Sequence, residues 1–176
     1  MSKSSVRHKK EAPSTLRFAV VTISTSKYQQ RKTGKNVEDE SGKLIVDLLQ
    51  QAGHRVVFRE LIPDSLRKIR NILRRALRRQ DVDAVVTTGG TGVTPKDVTI
   101  EAVKGLLEKE LPGFGELLRK ISYEKIGSAA LMTRAVAGVS GGKAVFCLPG
   151  SPHAVEVGVK HLIIPEAPHV VKHAKE

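Results

Sequence analysis

Val82-Asp83-Ala84-Val85-Val86-Thr87-Thr88-Gly89-Gly90-Thr91-Gly92, with Asp97 shortly after it, is the stretch from which the chain is best read. The short β-branched run at its start suits a buried strand rather than a helix. Glycines at a strand's carboxyl end allow φ > 0 and close backbone approach, so N–H groups can face anionic oxygens. A carboxylate just downstream can hold Mg²⁺ against such oxygens, since Mg²⁺ prefers one or two protein carboxylates plus phosphate and water. The plain alternative is a tight strand-to-helix turn whose glycines serve geometry alone.

Outward from this stretch, apolar strands and helical patterns alternate. Residues 17–24 read as a buried strand, followed by a polar loop over 25–38. A helix led by Glu38-Asp39-Glu40-Ser41-Gly42 carries Leu44, Ile45, Leu48 and Leu49 and ends at Gly53, and residues 54–62 form the next strand, closed by Pro63-Asp64. Residues 67–79 keep Ile69, Ile72, Leu73, Ala76 and Leu77 at helical spacing, which turns the arginines outward. Beyond Asp97 we expect a helix over 98–110, a break at 111–115, a helix over 116–125, no assignment for 126–134, and strands over 136–139 and 143–148. A loop at Pro149-Gly150-Ser151-Pro152 then leads to helical sequence interrupted around Pro165 and Pro168. This alternation predicts an α/β fold, a mostly parallel sheet covered on both faces. The expected organisation is a basic disordered tail over 1–15 and a single domain over 16–176.

In such sheets ligands sit beyond the carboxyl ends of the strands. Ser24 to Ser26, Pro63-Asp64, the glycine loop and Pro149 to Pro152 all belong at that edge. Asp64 and Asp97 each follow a strand beside phosphate-compatible loops, which suits Mg²⁺-assisted phosphoryl or nucleotidyl transfer. Either aspartate could instead cap the helix that follows it. Walker and Rossmann fingerprints are missing around the glycines. The histidines show no zinc-ligand spacing, and the pair His169 and His173 reads as a solvated helix end. Cys147 lies in an apolar strand and reads as core, and Ser151 is not in a nucleophile elbow.

Thirty basic against eighteen acidic residues give a net charge of +12, which implies an anionic partner. Aromatic residues are only 3% of the chain, so stacking platforms for nucleic acid are scarce and a nucleic-acid role is disfavoured. No apolar run reaches membrane-spanning length, the start lacks a signal-peptide pattern, and one cysteine suits a reducing compartment. We therefore expect a cytoplasmic protein with no membrane partner.

Thr-Thr-Gly-Gly-Thr-Gly (87–92), Asp97-Val-Thr, Leu-Pro-Gly-Phe-Gly-Glu (111–116), Leu-Met-Thr-Arg-Ala-Val-Ala-Gly (131–138) and Leu-Pro-Gly-Ser-Pro (148–152) run in order along the chain. With Asp39-Glu-Ser-Gly42 and Leu-Ile-Pro-Asp64, they resemble the MogA/MoaB family of molybdenum-cofactor biosynthesis over roughly residues 17–165. The resemblance implies a three-layer α/β/α fold in a homotrimer, or a hexamer in some MoaB-type members. It implies Mg²⁺-dependent adenylylation of molybdopterin by ATP with release of pyrophosphate, ahead of a downstream metal-insertion protein of the MoeA type. The two aspartates of the family's active form map onto Asp64 and Asp97, which become the implied catalytic and Mg²⁺-binding residues. Ser24, Ser26, Thr88, Gly89, Gly90, Thr91, Gly92, Thr133, Arg134, Pro149, Gly150 and Ser151 are the implied substrate contacts. A non-catalytic pterin-binding relative is the alternative within the family. The choice between molybdenum and tungsten leaves no mark on the sequence.

Overall fold

A computed structural model describes residues 13–176. Six strands form one sheet: β1 (Arg17–Ile23), β2 (Arg55–Ile62), β3 (Ala84–Thr88), β4 (Lys109–Glu110), β5 (Val136–Ser140) and β6 (Lys143–Leu148). Their spatial order is β2-β1-β3-β6-β5-β4. β2, β1, β3 and β6 are parallel, whereas β5 and β4 are antiparallel additions at one side. The helices are α1 (Thr25–Lys32), α2 (Glu40–Gln51), α3 (Leu66–Arg78), α4 (Thr99–Lys104), α5 (Pro112–Ile126), α6 (Pro152–Gly158) and α7 (Ile164–Ala174). A 3₁₀ turn, Gly127–Met132, follows α5, and a π turn, Val159–Ile163, joins α6 to α7.

Alternation along the central strands makes the three layers. Phe18, Val20, Ala84, Val86, Ala144, Phe146 and Leu148 face one way, onto α2, α5, α6, the π turn and α7 through Ile45, Leu49, Leu118, Val155, Ile163 and Val171. Ala19, Val21, Val85, Val145 and Cys147 face the other way, onto α3 and α4 through Ile69, Leu73, Ala76, Ile100 and Val103. Both faces being buried explains why these strands read as continuous apolar runs. The chain folds as the α/β sandwich expected from its sequence.

The order in which strands are added reverses between β1 and β3. β1 leads through α2 to β2 on one side, and β2 returns through α3 to β3 on the other. A crevice opens at such a switch point. At the opposite, amino-terminal end of the strands, Asp83 accepts hydrogen bonds from the Arg17 amide at 3.1 Å and Arg17 Nε at 2.9 Å, and pairs with Lys175 Nζ at 3.1 Å. Burial alone would raise the Asp83 carboxyl's pKa, but these cationic donors outweigh it and hold the group well below the usual carboxylate range.

Four local expectations need correction. Residues 25–32 form α1 rather than loop. No α1 residue is buried, so no apolar stripe announces it. Its first turn is capped locally by Ser24 Oγ, which accepts the Lys27 amide at 3.4 Å, and from a distance by the carboxylate of Asp64, which accepts the Thr25 amide. The helix expected over 98–110 stops at Lys104, and Lys109–Glu110 becomes an edge strand on β5. Leu111 continues that pairing through its amide to Ala137 O at 2.7 Å, and its position before Pro112 favours extended backbone. The expected break at 111–115 is the start of α5, with Pro112 in the first turn where its missing N–H costs nothing. Pro165 and Pro168 do not interrupt the C-terminal helix. The π turn precedes Pro165, and Pro168 is taken inside α7. The basic tail lies outside the described residues as far as residue 12.

Candidate active site at the carboxyl edge of the sheet

Parallel register carries β1, β3 and β6 to the same edge. Thr22 is level with Thr88, and Thr88 is level with Leu148. The loops that follow these residues therefore emerge side by side. The Gly89 amide bonds Leu148 O at 3.2 Å, and the Ser24 amide bonds Ile62 O at 2.9 Å, which ties the ends of β3 to β6 and of β1 to β2. Between them lies a cleft of about 420 Å³. Ser24, Ser26, Asp64, Thr88, Gly89, Gly90, Asp97 and Gly150 line it, all named from the sequence. Thr22, Ile23 and Lys27 line it as well without having been named; Thr25, in the polar element 24–26, and Asp39 and Ser41, in the motif 39–42, line it too without having been singled out as site residues.

The two aspartates are held in the same way. Asp64 Oδ2 accepts from the Thr25 amide at 2.8 Å and the Thr25 hydroxyl at 2.9 Å. Asp97 Oδ2 accepts from the Thr94 amide at 3.0 Å and the Thr94 hydroxyl at 2.6 Å. Neither caps the helix that follows it: the caps of α3 and α4 are Ser65 and Val98, without side-chain bonds. The Thr94 hydroxyl, aided by the amides of Thr94 and Gly92 and the charge of Arg134, holds the Asp97 carboxyl below its ordinary value against the opposing effect of burial. It is an anion at neutral pH.

Glycine is required beside both carboxylates. At Gly90 φ is +63°, and a Cβ would stand 2.5 Å from Asp64 Oδ1. At Gly92 a Cβ would stand 2.7 Å from Asp97 Oδ2. Each aspartate thus keeps an oxygen in a space that only glycine leaves clear. Hydroxyls fix the opposite wall: Thr88 Oγ1 donates to Pro149 O at 2.8 Å and Ser41 Oγ to Gly150 O at 2.7 Å. Ser151 caps α6 through the Ala154 amide at 3.2 Å.

Arg134 supports the loop from behind, donating to Gly92 O at 2.7 Å and pairing with Glu101. Thr91, Gly92, Thr133, Arg134, Pro149 and Ser151 are outside the cleft lining. Asp39 caps α2 through the Gly42 amide at 3.0 Å, accepts from Thr22 Oγ1 at 2.8 Å and pairs with Arg59 at 3.0 Å. Its readable signal is Asp39-Glu-Ser-Gly42: a Cβ on Gly42 would collide with the Asp39 carboxylate. Lys27 sat in the segment read as loop and carried no such signal.

The cleft wall holds three carboxylates and one lysine, Lys27, whose Nζ donates to Glu38 O at 2.8 Å. On a chain of net charge +12 this acidic spot is a local exception. Hard oxygen donors beside phosphate-compatible glycines suit Mg²⁺. Among the described residues no three histidine, cysteine or acidic groups converge into a closed metal cage.

The fold is a three-layer α/β/α sandwich with a carboxylate-bearing glycine cleft at its switch point, a geometry compatible with phosphorylated ligands. The profile of the family described as Probable molybdopterin binding domain matches residues 19–169. The chain belongs to this family. It is 46% identical over 164 residues to molybdenum cofactor biosynthesis protein B of Bacillus cereus, covering 93% of each chain. It is 43% identical over 173 residues to the molybdopterin adenylyltransferase of Pyrococcus furiosus, covering 96% of this chain and 97% of that one. The crystal structure of the tungsten cofactor synthesizing protein MoaB from Pyrococcus furiosus superposes with a TM-score of 0.82 at 41% identity, covering 94% of this chain and all of the other (100%).

Proposed function

We propose that the chain adenylylates molybdopterin, using ATP and Mg²⁺ and releasing pyrophosphate. The observation that carries this reading is the pair Asp64 and Asp97, each threonine-held beside a glycine in one cleft. A terminal phosphate oxygen of molybdopterin attacks the α-phosphorus of ATP. The new P–O bond forms as the bond to the β,γ-pyrophosphate breaks. A phosphate monoester is largely ionised at neutral pH, so the nucleophile needs no general base. The two carboxylates are therefore assigned to holding Mg²⁺, which when bound offsets the charge that develops on the phosphate oxygens. Backbone N–H groups of the loop 88–92 orient phosphate oxygens, and the hydroxyls of Ser24, Ser26 and Thr25 position the polar groups of the substrates. Thr133, Arg134 and Ser151 act by supporting the loops.

The same reading places the protein in the cytoplasm as a single domain with a basic tail, upstream of an MoeA-type metal-insertion protein. Among the described residues no helix is long and apolar enough to cross a membrane. A homo-oligomer is supported by the exposed apolar side chains of Leu117, Tyr123, Ile126, Leu131 and Met132 on α5 and the 3₁₀ turn after it. The test is pyrophosphate release from ATP and Mg²⁺ with and without molybdopterin. Molybdopterin-dependent release that Asp97→Ala abolishes supports the enzyme. Retained molybdopterin binding with no release by the native chain leaves a non-catalytic pterin binder.

A further inference from the structure

Two histidines outside the cleft stand edge to face, their ring centroids 4.8 Å apart at an interplanar angle of 62°. His169 and His173 lie four residues apart on α7, a spacing that places both side chains on one face of the helix. Their Nε2 atoms are 3.1 Å apart. The other nitrogen of each ring meets a carboxylate: His173 Nδ1 is 2.8 Å from Glu176 Oε2, and His169 Nδ1 is 3.4 Å from Glu166 Oε2. A ring that donates its Nδ1–H to a carboxylate presents a lone pair at Nε2, the arrangement that outer carboxylates give to metal-binding histidines. The 3.1 Å contact is met by an Nε2–H···Nε2 hydrogen bond when one ring is protonated there, and by a shared cation when both rings carry their proton on Nδ1.

The spacing fits one ion. Two imidazole nitrogens, each roughly 2.0–2.1 Å from a common metal at angles between square and tetrahedral, stand about 2.9–3.4 Å apart. We propose that His169 and His173 form a site for a divalent transition cation of the Zn²⁺, Ni²⁺ or Cu²⁺ class, with Glu166 and Glu176 orienting the rings. Among the described residues no third histidine, cysteine or acidic group completes a cluster, so water fills the remaining positions. Room for that water is at hand. The pair borders a cavity of about 550 Å³ between α7 and the β4–β5 edge, also lined by Glu108, Leu111 and Val139. Imidazole nitrogen selects these ions over Mg²⁺, whereas the oxygen donors of Asp64 and Asp97 select the reverse. The two sites are therefore separable by metal, and the proposal does not depend on the adenylyltransferase reading. An ion bound only in the folded state also stabilises it by mass action, pinning the last turn of α7.

The experiment is calorimetric titration of the full chain, stripped of metal by a chelator, with ZnCl₂ and NiCl₂, and with MgCl₂ as the control. One Zn²⁺ per chain with imidazole ligation, a thermal midpoint raised by Zn²⁺ but not by Mg²⁺, and at least tenfold weaker binding in His173→Gln are expected. Glu176→Gln weakens binding within the roughly 10–100-fold range of an outer partner. His161→Gln leaves it unchanged. His173 is exposed, so its variant should fold normally, and a melt of each variant without metal checks this. Absence of Zn²⁺ binding, or binding that both His169→Gln and His173→Gln retain, overturns the proposal and places any bound ion elsewhere on the chain.

Discussion

Asp64 and Thr25 exchange three hydrogen bonds across 39 positions of sequence. The Thr25 amide and hydroxyl donate to the Asp64 carboxylate at 2.8 and 2.9 Å, and the Asp64 amide donates back to the Thr25 hydroxyl at 2.9 Å. The carboxylate thereby holds the first residue of α1, beside the local Ser24 cap, and is itself fixed at the cleft. Asp64→Ala should lower molybdopterin-dependent pyrophosphate release by about 10²-fold or more, the scale of losing one preorganised electrostatic contact. Thr25→Ala should lose less, about tenfold, because the carboxylate remains but can turn. Equal activity of Asp64→Ala and the native chain would remove Asp64 from the chemistry.

Gly90 is the second test of the cleft. In Gly90→Ala the new methyl meets Asp64 Oδ1 at a backbone φ of +63°. The left-handed conformation costs a non-glycine residue roughly 1–2 kcal/mol. A chain of this size should melt several degrees lower, and activity should fall at least as far as in Asp64→Ala. Calorimetric melting beside the pyrophosphate assay separates the two effects.

Acid should unfold the protein in two stages. Burial pushes the His54 imidazole below its ordinary value, and its Nδ1 accepts the Leu16 amide at 3.2 Å. The folded state favours the neutral ring, so this contribution is complete above the unfolded value of about 6.5 and declines as pH falls below it. Asp83, held down by Arg17 and Lys175 against burial, contributes fully above the unfolded carboxyl value of about 4 and is lost only on further acidification. Urea unfolding at pH 8, 5.5 and 3.5 should show both losses. His54→Gln should flatten only the first.

Leu131 is 84% exposed and Met132 57%, beside Tyr123 at 63%. If this face joins copies of the chain, Leu131→Glu should lower the mass measured by light scattering towards that of the monomer, with the melting curve of the dissociated chain still cooperative. An unchanged mass would move the interface elsewhere.

Cys147 is fully buried in β6, and burial pushes its thiol up to about 12. It should resist iodoacetamide in the native chain and react stoichiometrically once unfolded, as followed by mass spectrometry. Rapid native modification accompanied by loss of activity would give it a role near the cleft.

Much of this was legible from residue order alone. The α/β sandwich follows from apolar runs alternating with amphipathic helices, because burying a strand on both faces leaves a pattern that survives in one dimension. The glycine loop, Asp64 and Asp97 were equally legible, since positive φ and strand-end carboxylates are local properties. What the tertiary structure decided was everything held by a distant partner. α1 has no buried face, and beside its local Ser24 cap it is held by a carboxylate 39 positions away, so periodicity could not announce it. β4 is two residues long and exists only because β5 lies beside it. Asp39, Thr25 and Ser41 reach the cleft because parallel register aligns the ends of β1, β3 and β6, and His169 and His173 face each other only once α7 is continuous through its prolines. Local conformation is written in neighbouring residues; convergence is written in strand register and packing, which no short window of sequence contains.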